Sequence, residues 1–327
     1  MSRYRLILIL IFTLCLSFSM KAQQETQFST HMGFSVLDNP ACISLDNKYY
    51  VEGKIKNQWS GISESPEIYL FDFEAPINFL GKKHGIGITF ISNKMGTQIN
   101  NKYTRVGVSY AYKTIFSGWK MNLGLRFDYI SSELNGSFDF TNLNWNDPKD
   151  IFNTGKDNLT PINSSNGCVD VSCGVYFKKK NLEFGFTISN ILNTKLTSIR
   201  TISDNKKENI KFNRKYKAIF RYNLKLQENL EFIPFMLTMT DFDYTSVNIG
   251  GITKIQKHLF LGIGYRYDDS VFLSMGYEFK NGIKIGYAYD YGVSSLSRDS
   301  NGSHELMLAY SFNIKTKKSK YSSVRFI

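Results

Sequence analysis

The chain of 327 residues lacks the long apolar runs that form membrane-spanning helices, apart from one short run at its start. A transmembrane helix needs about 20 consecutive apolar residues, and the run from Leu6 to Phe18 is shorter than that. It follows a basic start and ends near Ala22, which is the pattern of a secretory signal peptide. The sequence therefore predicts a signal peptide over residues 1–22, cleaved after Ala22.

Cysteine and histidine are scarce, and this scarcity argues against several kinds of site. Cys42, Cys168 and Cys173 remain after cleavage, an odd number that forms no complete disulfide framework. No Cys/His spacing typical of zinc occurs. Ser303 and His304 are adjacent, but a catalytic pair also requires an orienting partner, so two polar rim residues are the better interpretation. We expect no catalytic residue, no cofactor and no metal site.

The carboxy-terminal part of the chain has a clear side-chain period of two. From Lys257 to Phe312, apolar and aromatic residues alternate with Gly, Ser, Ala and charged residues in four runs of about ten residues each. A period of two is the period of a β-strand. Asn281-Gly282 between two of the runs is a hairpin signal. The same alternation occurs over 119–129, 182–189 and 216–225.

The length and the two faces of these strands predict a membrane barrel. Strands of soluble proteins have about five or six residues, whereas about nine to eleven residues match a tilted crossing of a bilayer. One face is apolar, and the other carries charges such as Arg266 and Asp290. These charges would be costly in the dry core of a soluble β-sandwich or lipocalin-like barrel. We predict an all-β fold, a transmembrane antiparallel up-and-down β-barrel.

The pattern predicts about fourteen strands, an even number as expected of bacterial single-chain barrels. Pro234 interrupts the pattern and indicates a bulge or an exposed rim. The pair Gly250-Gly251 shifts the register and indicates a bulge. The predicted domains are the signal peptide, an N-terminal periplasmic or plug segment over 23–47, the barrel over 48–314 and a basic periplasmic tail over 315–327. The predicted strands are 48–60, 65–76, 84–93, 102–114, 119–131, 168–178, 181–191, 214–226, 229–240, 243–254, 257–268, 270–280, 281–291 and 303–314.

The connections predict the orientation of the barrel in the bacterial outer membrane. The long ones, at 132–167, 192–213 and 292–302, alternate with tight turns such as the one at Lys178–Asn181. Barrels of this kind have short periplasmic turns and longer outside loops. We therefore predict that both termini are periplasmic.

The chain is basic, with a formal net charge of +12, or about +9 without the signal peptide. The basic residues fall mostly at turns and on the predicted lumen face, which favours solvated turns and a cationic lumen over nucleic-acid binding. One possible function is therefore a porin or transporter for small solutes. The predicted lumen-facing charges are Lys54, Lys56, Lys120, Arg126, Arg221 and Arg266.

The loop predicted at 132–167 is a candidate partner-binding surface. Aromatic side chains are costly on a bare loop, but they act as anchors in protein interfaces. The alternative is a lid that folds over the barrel mouth and buries them. The candidate residues are Phe138, Phe140, Trp145 and Phe152.

Several short motifs lie in order along nearly the whole predicted mature chain, from about Gln23 to Ile327. They include Gln27 with His31-Met32, Asn39-Pro40-Ala41, Gln58-Trp59-Ser60-Gly61, Gly262-Ile263-Gly264-Tyr265-Arg266, Ile285–Asp290 and Gly302-Ser303-His304-Glu305. Together they resemble the PorP/SprF family of outer-membrane proteins of type IX secretion and gliding motility.

This resemblance implies a non-enzymatic outer-membrane component that supports secretion or surface anchoring of a large, adhesin-like surface protein. The implied partners are that secreted protein, the periplasmic ring and cell-wall-linking components of the secretion machinery, and outer-membrane lipid. Nucleic acid is not among them.

Overall fold

The computed structural model describes residues 26–30, 35–62, 65–79, 81–96, 99–136, 162–200, 207–293 and 300–314. None of the helices in these ranges is both long and apolar enough to cross a membrane. The predicted signal peptide, the basic tail and the four candidate loop aromatics lie outside the described residues.

The described residues form one short 3-10 helix, Pro40–Cys42, and seventeen strands. The strands are β1 (Tyr49–Asn57), β2 (Glu67–Phe79), β3 (Lys82–Met95), β4 (Ile99–Phe116), β5 (Trp119–Gly136), β6 (Ile162–Lys179), β7 (Leu182–Ser189), β8 (Lys195–Arg200), β9 (Lys207–Lys211), β10 (Lys215–Tyr222), β11 (Leu224–Gln227), β12 (Leu230–Thr240), β13 (Thr245–Ile255), β14 (Leu259–Arg266), β15 (Ser270–Glu278), β16 (Ile283–Gly292) and β17 (Ser303–Phe312).

Fifteen of these strands form one antiparallel sheet that closes on itself. Strands from β1 to β7 and from β11 to β17 pair in chain order, β10 pairs with β7 and β12, and β1 pairs with β17 to complete the ring. Only Asn223 separates β10 from β11, and both pair with β12, so they are two parts of one barrel strand. The predicted fourteen-stranded antiparallel barrel is thus confirmed.

Two predictions about strand ends and connections were wrong. β5 continues to Gly136 and β6 begins at Ile162, so both strands extend into the loop predicted at 132–167. Their outer ends are polar and do not alternate, because pairing above the bilayer requires no apolar face. The connection predicted at 192–213 contains a separate hairpin, β8–β9.

The predicted bulges at Pro234 and Gly250-Gly251 do not occur. Pro234 pairs with Gly251 and Phe235 with Gly250 in one continuous register. A Cβ on Gly251 would lie 2.5 Å from the ring of Phe232, and one on Gly250 would lie 2.7 Å from the ring of Phe235. These glycines therefore make room for aromatic side chains rather than for an extra residue.

The two faces of the barrel differ as predicted. Outward side chains such as Leu273 and Leu308 are 55% and 61% exposed, whereas inward Arg126 and Glu305 are each 1% exposed. Apolar exposure outside and polar burial inside are typical of a barrel surrounded by lipid.

The barrel has two different ends, named here for their connections. Six tight turns join β2–β3, β4–β5, β6–β7, β11–β12, β13–β14 and β15–β16 at the turn end. The remaining connections, including all the long ones, lie at the loop end. Ser117 and Gly118 both have positive φ, 48° and 77°, as the tightest hairpin turns require.

Candidate functional site

A segment that precedes β1 lies inside the barrel and crosses it from the loop end to the turn end. This lumen segment comprises the described residues 26–30 and 35–48. Near the loop end, the Gln27 amide donates to Ser246 Oγ (3.0 Å) and accepts from Asn248 Nδ2 (2.7 Å). Near the turn end, the Ser44 amide donates to Glu74. The chain therefore passes through the lumen before it enters the wall.

Glu305 on β17 holds the first part of the lumen segment. Its buried carboxylate accepts hydrogen bonds from the backbone amides of Ser29 (2.7 Å) and Thr30 (3.1 Å) and from the Thr30 hydroxyl. Buried amides of an irregular segment have no ladder partner and must find a side chain. The carboxylate of Glu305 takes that role.

Four wall charges, two basic and two acidic, surround this contact and neutralise one another. Lys56 Nζ lies 2.8 Å from Asp290 Oδ2 and donates to the Gln27 carbonyl at 2.8 Å. Arg266 lies 2.8 Å from Asp269 and 3.7 Å from Asp290, and it also donates to Ser29 Oγ at 3.3 Å. Each basic group therefore has a carboxylate and a lumen-segment acceptor.

Arg126 holds the middle of the lumen segment. Its Nη1 donates to the carbonyls of Val36 (3.0 Å) and Leu37 (3.1 Å), while its Nε lies 3.1 Å from Asp128. Asn122 continues the pattern by donating to the Ala41 carbonyl at 3.0 Å. Because these carbonyls are buried, the donors replace the water that they would otherwise need.

The Asn39-Pro40-Ala41-Cys42 turn sits against glycines of the wall. Asn39 Oδ1 caps the short helix by accepting from the Ala41 amide (2.9 Å), and Asn39 Nδ2 donates to the Val175 carbonyl (2.9 Å). A Cβ on Gly124 would lie 2.2 Å from Ala41 N, and one on Gly174 would lie 2.1 Å from Asn39 Oδ1. The alternation of side chains places these glycines on the lumen face but does not reveal this role. The sequence signal for this role is the combination of an Asn-Pro-Ala motif before the first strand with lumen-facing glycines on two neighbouring strands.

Two of the sequence motifs meet at the seam between β1 and β17. The Trp59 amide donates to Ser303 Oγ (3.0 Å), the Ser60 amide to the Gly302 carbonyl (2.7 Å), and the Asn301 amide to the Ser60 carbonyl (2.7 Å). Gly61 and Gly302 have φ of 89° and 85°, a region that favours glycine. Segments from opposite parts of the sequence thus join at the loop end, where the barrel closes. Gln58 lies beside this contact, and its backbone amide donates to the Pro66 carbonyl (2.9 Å).

Ser303 and His304 do not form a catalytic pair. Ser303 faces the lumen and is buried, whereas His304 faces outward and its Nδ1 lies 2.7 Å from the Tyr287 hydroxyl. Adjacent residues of a strand point to opposite faces, so the two side chains are on different sides of the wall.

A chamber of about 420 Å³ lies between the lumen segment and the turn end. Charges of both signs line it, and several are paired: Lys54 with Glu52 (3.1 Å), Lys178 with Glu183 (2.6 Å) and Lys284 with Glu278 (3.5 Å). The chamber is therefore charge-balanced, contrary to the predicted cationic lumen. Its charged lining is Asp46, Lys48, Glu52, Lys54, Asp72, Glu74, Lys120, Lys178, Glu183, Arg221, Glu231, Lys254, Glu278 and Lys284.

The six predicted lumen-facing charges occupy different places. Lys56, Arg126 and Arg266 contact the lumen segment. Lys54, Lys120 and Arg221 line the chamber, where Lys120 is exposed and Lys54 is buried.

Cys42, Cys168 and Cys173 are free thiols, and the described residues contain no cluster of His, Cys, Asp and Glu suited to a metal ion. Cys42 is 2% exposed and packs beside Tyr176. The buried thiol therefore packs as a small apolar group.

Comparison with solved structures supports the fold assignment. The toluene transporter TodX of Pseudomonas putida has 10% sequence identity and a TM-score of 0.51, over 85% of this chain and 93% of that chain. The TodX deltaS2S3 mutant, a monoaromatic hydrocarbon channel, has 12% identity and a TM-score of 0.50, over 85% and 94%. At these identities the similarity shows the fold alone. No curated protein matches the chain.

The family described as "Type IX secretion system membrane protein PorP/SprF" matches residues 20–310. The match includes the lumen segment and both halves of the seam contact. It also includes Gly124 and Gly174, the wall glycines that seat the Asn39–Cys42 turn. The chain therefore belongs to the PorP/SprF family and is an outer-membrane component of the type IX secretion system.

Proposed function

We propose that the barrel is a non-enzymatic support for the secretion or surface anchoring of a large, adhesin-like protein. The observation that carries this proposal is the filled lumen. Glu305, Arg126 and Asn122 each hold the lumen segment through its backbone. A barrel closed in this way offers partners its two ends rather than a channel.

The two ends suit two sets of partners. The loop end carries the seam contact and the long connections, and we assign it to the secreted surface protein. The turn end carries the open side of the chamber, and we assign it to the periplasmic ring and cell-wall-linking components. This assignment rests on the predicted orientation, with both termini periplasmic.

A deletion strain tests the proposal directly. Removing the gene should release one large surface protein into the medium, and the wild-type gene should restore it. Complementation with Trp145→Ala plus Phe152→Ala should yield a folded, heat-resistant barrel but leave the surface protein in the medium. Unchanged surface proteins in the deletion strain would contradict anchoring. A retained surface protein with raised solute permeability in the double variant would identify the loop as a lid.

The second candidate is a porin or transporter for small solutes, and the chamber is the observation that favours it. Conductance in planar bilayers separates the two functions. The wild-type barrel should conduct little, whereas Gly124→Leu, which removes the seat of Ala41, should raise the conductance. Steady conductance of the wild type would favour transport instead.

A further inference from the structure

Every tight turn at the turn end carries exposed lysine. All six turns have one in the turn or within three residues of it. Sequence alone suggested solvated turns, but the barrel gathers these lysines at one end. Lys120 lines the chamber, and the remaining lysines, called the lysine ring here, are Lys82, Lys83, Lys179, Lys180, Lys225, Lys257 and Lys280.

Few acids balance the ring. Among the described residues, the exposed acids at the turn end are Asp46 and Glu228. The described part of the loop end is mixed, with exposed Glu67, Asp243 and Asp268 among its basic residues. The excess of positive charge is therefore a property of one end of the barrel.

The ring lies level with outward aromatic side chains. Lys82 Nζ lies 5.2 Å from the centre of the Tyr112 ring and donates to the Tyr112 hydroxyl at 2.6 Å. Lys179 Nζ lies 5.4 Å from the centre of the Trp119 ring. Outward aromatics at the end of a barrel wall mark the level of the lipid headgroups. The ammonium groups of Lys82 and Lys179 therefore lie where the apolar wall meets water.

We propose that the lysine ring binds the anionic phospholipid headgroups of the leaflet at the turn end. The apolar stems of these lysines cover the wall while their ammonium groups reach the phosphates. These lysines are spread over five of the six turns, which matches a continuous lipid layer, whereas an acidic protein would need one local patch. This inference does not depend on which protein the barrel anchors.

Lipid retention tests the proposal. The full barrel is reconstituted in nanodiscs of phosphatidylglycerol and phosphatidylcholine, extracted gently, and analysed by native mass spectrometry for bound lipid. The wild type should retain phosphatidylglycerol over phosphatidylcholine by about fivefold at each ring site, because one lysine near an anionic surface contributes that factor. The excess should fall at high salt, which screens exposed charges.

Two glutamine variants provide the comparison. The ring variant changes Lys82, Lys83, Lys179, Lys180, Lys225, Lys257 and Lys280 to Gln and leaves Lys120 because it lines the chamber. The control at the loop end changes four exposed basic residues, Lys94, Lys195, Lys211 and Arg214, to Gln. The ring variant should lose the phosphatidylglycerol excess, and the control should keep it.

Three results would overturn the proposal. One is an equal phosphatidylglycerol excess in wild type and ring variant. Another is an excess lost equally in the loop-end control. The third is a ring variant that keeps the phosphatidylglycerol excess but loses a co-purifying acidic protein. That result would show that the ring binds a protein and not lipid. If the ring variant fails to fold, the double variant Lys179→Gln with Lys180→Gln should lose the part of the phosphatidylglycerol excess that is bound at the β6–β7 turn. An unchanged excess in this double variant would also overturn the proposal.

Discussion

At the scale of single residues, the buried charges of the wall bind the backbone of the lumen segment, and this contact explains why they are buried. Burying Arg126 or Glu305 costs several kcal/mol of lost hydration unless charge and hydrogen bonds compensate. Arg126 has Asp128 and two carbonyls, and Glu305 has two amides and a hydroxyl. The cost is thus offset by satisfying a backbone segment that cannot satisfy itself.

Gly124→Ala should expose Cys42. The added Cβ would lie 2.2 Å from Ala41 N, so the short helix must leave its seat. Gly53→Ala is the matched control, because its nearest atom would be 4.0 Å away. In a background of Cys168→Ser and Cys173→Ser, a maleimide should label Cys42 in the Gly124 variant and leave it unlabelled in wild type and control. Equal labelling of all three would show that the seat does not hold the segment.

Leu273→Arg should destabilise the barrel by roughly 2–4 kcal/mol, the cost of arginine near the bilayer midplane. Leu273 is 55% exposed on the outer face. Gly276→Ser, on the lumen face of the same strand, should cost much less. The free energy of unfolding in lipid vesicles measures both changes. Similar losses would show that the outer face does not contact lipid.

At the scale of elements, the alternation reveals the part of each strand that crosses the membrane, and little else. β4, β5 and β6 each have 18 residues, and their polar outer ends leave no period of two. The sequence predicted the lumen segment only as one of two alternatives, a periplasmic segment or a plug, because a bond such as Ser29–Glu305 joins a backbone amide to a side chain 276 residues later in the chain. Such bonds produce no local pattern. The motifs at Asn39 and Gly302 indicated a family. They did not indicate that the Asn39 motif lies in the lumen or that the Gly302 motif closes the seam.

The seam between β1 and β17 should be open to chemical crosslinking. Ile55 pairs with Leu306 in the observed register, and both side chains are exposed on the outer face. Ile55→Cys with Leu306→Cys should crosslink in the folded barrel, as judged by gel mobility before and after reduction. Ile55→Cys with Tyr310→Cys, four residues out of register, should not. Equal crosslinking of both pairs would indicate a mobile or unpaired seam.

At the scale of the whole molecule, the two ends differ in chain length and charge. A protease added to intact cells should cut within 132–167 or 192–213 and spare the turn at Lys178, because the loop end faces outward in the predicted orientation. Mass spectrometry of the released peptides identifies the sites. Cleavage at Lys178 with intact long connections would reverse the orientation. Permeabilised cells provide the control for cleavage at the turn end.

The lumen segment also sets the order in which the molecule is assembled. Ser29 and Thr30 bond to Glu305, which lies 276 and 275 residues later. The segment is synthesised before every strand of its container, yet one of its holding groups arrives with the last strand. Contacts of such long separation form slowly, because the intervening chain must first be ordered. Closure of the barrel and formation of the Glu305 contact therefore depend on the same strand, and a chain stalled before β17 has both an open edge and an unheld stretch at Ser29 and Thr30. Quality control that detects either defect detects both.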